Sequence, residues 1–190
     1  MSVKKENIDR FFDYDVLLDS RTILIADSSD DGVDNAMANR FLKAMVILEQ
    51  SNKNPIRVIL KSLGGCIYNG AAMFDSIKNS PCHVTIEVYG CAMSMGAVIL
   101  QAADERIMQP SALLMLHDGT FGMTDAPRTF ENWAAVSKKQ RQQMYKIFAD
   151  RSGRTIRFWE KACANDFILD AGEALKYGLI DKIATPSVAA

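Results

Sequence analysis

The chain has 190 residues, 48% of them hydrophobic, and a formal net charge of -1 from 22 basic and 23 acidic side chains. This is enough for one domain with a sizeable core, and the balance excludes a strong field of one sign aimed at nucleic acid or at an acidic membrane surface. Four cysteines with no CxxC pair and two histidines offer neither a disulfide framework nor metal-ligand spacing, so no metal and no cofactor are expected and the thiols read as reduced, in a cytoplasmic protein. The opening MSVKKENIDR has no apolar stretch after its lysines, and no window approaches eighteen apolar residues. Neither a signal peptide nor a membrane span is expected.

Residues 1–13 are charged and weakly patterned and read as an N-terminal arm. Residues 14–190 read as one domain without repeat, low-complexity tract or linker. TILIA (22–26) is a short strand. The text from 30 to 50 has helical period, with Met37, Phe41, Ala44, Met45 and Leu48 on one face, and SNKNP ends it at Pro55. IRVILKSL (56–63) is a strand that Gly64 and Gly65 break. Residues 66–80 form a helix, and HVTIEVYG (83–90) follows Pro81 as a strand. CAMSMGAVILQAA (91–103) turns into a helix. ERIMQPSALLMLH (105–117) holds two short strands split at Pro110. Strands alternating with helices at this spacing imply crossover units and a mostly parallel sheet, and the near-continuous apolar strand text predicts a sheet covered on both faces. From Pro127 to Ser152 the apolar residues Phe130, Trp133, Val136, Met144, Ile147 and Phe148 flank the polar run SKKQRQQ. That pattern predicts a long helix that projects from the domain, packs on a partner or is simply solvated.

Three features fall where an open α/β sheet gathers chemistry. Ser94, in YGCAMSMGA (89–97), stands where strand text gives way to helix text, so helix N–H groups and their partial positive charge lie beside its hydroxyl. Such a place suits a nucleophile that generates an oxyanion, although a serine there is more often a helix cap. Gly64 and Gly65 end a strand, where paired glycines can turn N–H groups toward a substrate carbonyl; a tight turn would need them equally. His117 ends another strand, and a base near neutrality is what a serine hydroxyl requires. A buried, satisfied histidine is the plainer reading of that residue alone. His83, after Pro81, reads as structural or exposed. The conjunction points to an acyl-transfer site. A carboxylate to orient His117 is needed, and Asp118, Asp125, Asp166, Asp170 and Asp181 are all available. Adjacency favours Asp118, whereas neighbours on an extended strand point to opposite sides, so the residues alone do not choose among them.

Taken together, KSLGG (61–65), GCAMSMGA (90–97), MLHDG (115–119) and NDFILDAGEALKYGLIDKIA (165–184) resemble the motifs of the ClpP family of self-compartmentalising serine peptidases, over about Tyr14 to Ile183. The resemblance implies the ClpP/crotonase-like α/β fold of repeated strand-strand-helix units with a mostly parallel sheet and a projecting handle helix at about 127–152. It also implies Ser94 as nucleophile, His117 as base, Asp166 as the third member of the triad, and the Gly65 and Met95 N–H groups as oxyanion hole. A polypeptide substrate would add as a strand beside the residues after Gly65 and around Met123. The family assembles as heptameric rings, stacked into tetradecamers, and works with a hexameric AAA+ unfoldase.

The chain also departs from the family pattern. Leu63 stands at the place of a proline, which should loosen that turn, and Cys91 at that of a glutamine. Ala164 and Asn165 replace an Asp-Arg pair that couples ring contacts to the site, and the arm does not match axial loops. These departures suggest a divergent, phage- or mobile-element-encoded member. Three other readings compete. A crotonase-type acyl-CoA enzyme would share the oxyanion glycine but need CoA-binding groups not found here. A signal-peptide-peptidase relative would need a lysine as base and a membrane anchor. A ring or capsid-assembly scaffold would keep the fold without serine reactivity.

Overall fold

The computed structural model describes residues 11–27, 32–120, 122 and 124–185. Most of the expected arm, residues 1–10, and Met123 of the expected substrate strand lie outside them. Phe11–Tyr14 form a helical turn. In chain order the elements are β1 (Val16–Leu17), β2 (Thr22–Ala26), α1 (Asn35–Ser51), β3 (Ile56–Ser62), α2 (Ile67–Lys78), β4 (Val84–Met93), α3 (Met95–Leu100), β5 (Glu105–Met108), β6 (Leu113–Leu116), α4 (Pro127–Ser152), α5 (Ile156–Ala162), β7 (Phe167–Leu169), α6 (Ala171–Tyr177) and β8 (Lys182–Ile183).

The sheet runs β1-β2-β3-β4-β5-β8, and β6 joins it at β4 and carries β7 on its other side. Pairing is parallel except at β1–β2 and β6–β7. The mostly parallel α/β architecture follows from the crossover helices, since parallel neighbours cannot be joined by a tight hairpin. Its core holds alternate residues of the central strands, including Val58, Leu60, Ile86 and Val88, with Met37, Phe41, Ala44, Met45 and Leu48 of α1.

Two local expectations need correction. Helix α1 begins at Asn35 and not near residue 30, because the Asp34 carboxylate accepts the Met37 N–H as N-cap. Residues 91–93, read as the passage from a strand ending at Gly90 to a helix beginning near Ser94, extend β4 instead: Cys91, Ala92 and Met93 pair with Leu113, Leu114 and Met115 of β6. Local propensity does not reveal that tertiary partner. The sheet also has one buried face rather than two. Along β3 and the first half of β4 buried residues alternate with partly exposed ones, and the open face carries Arg57, which grips both oxygens of Glu87 at 2.7 Å. That hydrogen-bonded guanidinium holds the Glu87 carboxyl below its ordinary value despite burial.

Helix α4 has 26 residues, about 39 Å at 1.5 Å per residue. It starts with Pro at its first helical position and ends on Gly153 in the left-handed region. Only Tyr145 and Phe148 of this helix are buried, so its first four turns stand off the domain. The anchored end packs Phe148 against Trp159 of α5, at 5.6 Å between ring centroids. Among the described residues no helix is long and apolar enough to cross a membrane.

Arg106 closes the far side of the sheet. Its buried guanidinium donates to both Asp181 oxygens (2.9 and 2.6 Å), to Gln101 Oε1 (2.7 Å) and to the Gly178 carbonyl (3.0 Å). Burial alone would raise the Asp181 carboxyl; the hydrogen bonds from Arg106 outweigh it and hold the carboxyl below the usual range. Asp181→Asn should therefore lower the unfolding free energy in urea by roughly 2–3 kcal/mol, less than a fully buried pair because Asp181 is partly exposed. A depressed carboxyl stabilises above its unfolded value and loses that contribution as pH falls. The difference between the two proteins should be full at neutral pH, begin to shrink near pH 4 and vanish only once pH has fallen through the depressed native value.

Candidate active site

Strand β4 ends at Met93, and the next residue turns the chain into α3. Ser94 sits there with φ 51° and ψ -119°, a conformation that L-residues with a Cβ rarely hold. Three interactions impose it. The Ser94 N–H donates to the Met115 carbonyl of β6 at 2.8 Å. The Ser94 carbonyl accepts the N–H groups of Ala97 and Val98 at 3.1 and 3.3 Å. Helix α3 itself is wholly buried, so the turn cannot relax outward. Backbone strain held by its surroundings in this way collects at functional sites. The hydroxyl makes no capping hydrogen bond to α3. It lies 2.8 Å from Nε2 of His117 instead.

The same register delivers His117. Strand β6 runs parallel to the end of β4 with Met115 opposite Met93, and His117 is the first residue past its last paired position. On the other side β7 runs antiparallel, with Leu116 opposite Phe167. One step beyond that pair, His117 and Asp166 face each other, and Asp166 Oδ1 lies 3.3 Å from His117 Nδ1. The imidazole is half-buried between a serine on one nitrogen and a carboxylate on the other.

The other aspartates are engaged elsewhere. Asp118 turns away from His117 toward α4, where its carboxylate accepts the Tyr145 hydroxyl and lies 3.8 Å from Arg141 Nη1. Asp125 accepts the Ala126 N–H at 2.6 Å. Asp170 caps α6 in a reciprocal pair with Glu173, and Asp181 holds Arg106. His83 is exposed, with Nδ1 3.9 Å from Asp104.

Gly64 and Gly65 pass directly beside Ser94. Gly64 has φ 107°, and a Cβ there would lie 2.6 Å from Ser94 Cβ and 3.1 Å from Met95 N. The close approach therefore requires glycine. A parallel bridge between Val33 and Gly65 uses the Gly64 carbonyl and the Cys66 N–H, and leaves the Gly65 N–H out of it. Met95 is the first residue of α3, where a backbone N–H has no intrahelical acceptor. Gly96 lets the helix close on Ser62, whose side chain a Cβ would meet at 3.2 Å.

Leu63, at the place where the family has proline, carries an N–H that Asp27 Oδ2 accepts at 2.5 Å. Ser62 Oγ accepts the Gly64 N–H at 3.0 Å. These bonds tie down the turn expected to be loose. Alongside lies a cavity of about 840 Å³. Met95, Val98 and Phe74 form an apolar wall, and Arg141, Met144 and Ile147 of α4 line the opposite side. Among the described residues no cluster of three or more His, Cys, Asp or Glu could hold a metal ion.

Asp27, Tyr145 and Arg141 join the site without a motif to announce them. Asp27 stands just past β2 with no pattern around it, Arg141 lies within the polar run of α4, and Tyr145 follows two residues after that run. An N–H at Leu63 that needs an acceptor is the one available signal for Asp27.

A family model described as Clp protease matches residues 4–187. The ATP-dependent Clp protease proteolytic subunit of Streptococcus mutans is 32% identical over 175 residues, covering 90% of this chain and 87% of that protein. A solved structure of a mutant of ClpP1 from Listeria monocytogenes superposes with a TM-score of 0.81 at 25% identity, covering 90% of this chain and 95% of that one. By that span, that identity and that shared fold, the chain belongs to the Clp protease family, as a protease of the ClpP type.

Proposed function

We propose that the chain is a serine-type endopeptidase that cleaves unfolded polypeptides or peptides, with Ser94, His117 and Asp166 as its catalytic triad. The observation that carries this reading is the continuous path Ser94 Oγ, His117 Nε2, His117 Nδ1, Asp166 Oδ1, with separations of 2.8 and 3.3 Å at its two ends. Ser94 Oγ attacks the scissile carbonyl carbon while Nε2 takes the hydroxyl proton. The Gly65 and Met95 N–H groups donate to the oxyanion. The intermediate collapses with cleavage of the C–N bond, and the imidazolium gives its proton to the leaving amine. Water, deprotonated by the same Nε2, then attacks the acyl ester, releasing the carboxylic acid product and restoring Ser94. Asp166 holds the ring in the tautomer with a proton on Nδ1. None of these steps calls for a cofactor.

The substrate adds as an extended strand beside the residues after Gly65 and places a side chain in the neighbouring cavity. In this reading the chain assembles into a heptameric ring, stacked or single, in the cytoplasm. The projecting turns of α4, which carry the exposed apolar residues Phe130, Trp133 and Val136, contribute to that assembly. An AAA+ unfoldase feeds the chamber in this reading, which accords with the ATP dependence in the name of the Streptococcus mutans relative.

A fluorophosphonate probe on the native protein, located by peptide mass spectrometry, tests the reading. An adduct on Ser94 that is absent in His117→Ala supports it; folded protein that never labels overturns it. Ser94→Ala should lower peptide turnover by about 10³-fold or more without changing fold or assembly. Asp166→Asn should cost about 10²–10⁴-fold through loss of imidazole orientation. Asp118→Asn should cost only a few-fold, because Asp118 faces α4, and the reverse ranking would sink the assignment of Asp166. Gly64→Ala forces a Cβ into the Ser94 turn at positive φ. It should slow labelling of Ser94 at least about tenfold and lower stability by about 2–4 kcal/mol, read by probe kinetics and urea unfolding.

A further inference from the structure

Strand pairing stops at Leu116, so His117 lies just beyond the last residue the sheet holds in place. Residues 117–120 are irregular, and Gly119 has φ 71°. The first anchor past His117 is Asp118, which is held on two sides. Its backbone N–H donates to the Cys163 carbonyl at 2.8 Å. Cys163 caps the end of α5, three residues before Asp166. The Asp118 carboxylate accepts the hydroxyl of Tyr145, with Arg141 Nη1 at 3.8 Å. Tyr145 is one of the two buried residues of α4. Burial, and then its hydrogen bond to Asp118, raise the phenol well above its ordinary value, so the hydroxyl stays a donor at any working pH. Asp118 thus joins the segment bearing the base to the anchored end of α4 and to the segment bearing Asp166.

We propose that Tyr145 and Asp118 form a positioning clamp that holds the His117 imidazole in line between Ser94 and Asp166, so that the anchored end of α4 sets the rate at which Ser94 is acylated. The rate effect rests on the serine-peptidase reading above; the positioning of the ring does not. Asp118 acts through His117 and touches neither its ring nor the reacting atoms. A tether between two packed elements that does nothing for the site would affect stability alone.

The test uses the full chain with Tyr145→Phe, Asp118→Ala, Asp118→Asn and the double variant Tyr145→Phe/Asp118→Ala. Two readouts are taken: the fluorophosphonate labelling rate of Ser94 with peptide kcat and KM, and the NMR signals of the His117 ring, one of only two histidines in the chain. Tyr145→Phe and Asp118→Ala should each slow labelling and kcat about tenfold with KM nearly unchanged, the loss of one hydrogen bond to a charged acceptor. Asp118→Asn keeps an oxygen acceptor and should retain the rate to within about threefold. The double variant should be no slower than either single, because both remove the same interaction. The His117 ring signals should shift or broaden in Tyr145→Phe and Asp118→Ala.

Unchanged ring signals and labelling in Tyr145→Phe, or multiplicative losses in the double variant, overturn the clamp. If wild-type protein does not label but its ring signals respond to the variants, the clamp stands and the peptidase reading falls. Should Tyr145→Phe fail to fold, Asp118→Ala against Asp118→Asn makes the same decision.

Discussion

The site depends on one short strand having two different neighbours. Strand β6 is four residues long, yet it pairs in parallel with the end of β4 and antiparallel with β7. The first pairing extends β4 past its expected end and fixes the Ser94 N–H on the Met115 carbonyl. The second sets Leu116 against Phe167 and so places Asp166 across from His117. A slip of one residue in either register would turn the affected side chains to the opposite face of the sheet. The geometry that brings three distant residues together is therefore backbone geometry first.

Around that frame the polar groups are arranged so that few carboxylates compete for His117. Asp170 caps a helix, Asp181 holds a buried arginine, and Asp118 is bound to α4. Strain and close packing do the rest. Ser94 is held at positive φ because Gly64 lets the neighbouring chain approach and Gly96 lets α3 settle on Ser62. Any side chain at Gly64 would meet the turn itself. The absent proline at Leu63 does not leave this region slack, because Asp27 and Ser62 supply hydrogen bonds in its place. The departure from the family pattern is thus compensated by the side chain just past β2, about thirty-six residues earlier.

Helix α4 combines two environments. Its last turns are buried by Tyr145 and Phe148, and its first four stand free with Phe130, Trp133 and Val136 exposed. The anchored end reaches Asp118 and lines the cavity beside Met95. One continuous helix thus joins the free part to residues beside His117. The polar run that separates the two ends keeps the projecting segment solvated without apolar packing of its own.

The sequence by itself determined the order of strands and helices from β2 to α4, the α/β class, the buried face of α1 and the candidates Ser94, His117 and Gly64–Gly65; β1 and everything after α4, β7 included, were not legible in it. Each of the legible features is written in local periodicity or in residue type at an element end, which near neighbours decide. The family could be read for the same reason, since its motifs are short and contiguous. What only the tertiary structure decided was everything set by partners remote in the chain. Residues 91–93 became strand because β6 lies beside them. The open sheet face stayed half-exposed because Arg57 and Glu87 pair there. Asp166 stands by His117, and Asp118 does not, because of the β6–β7 register. Asp27 and Tyr145 joined the site through single hydrogen bonds to Leu63 and Asp118. Those choices rest on distances between segments tens of residues apart, and a linear pattern contains no term for them.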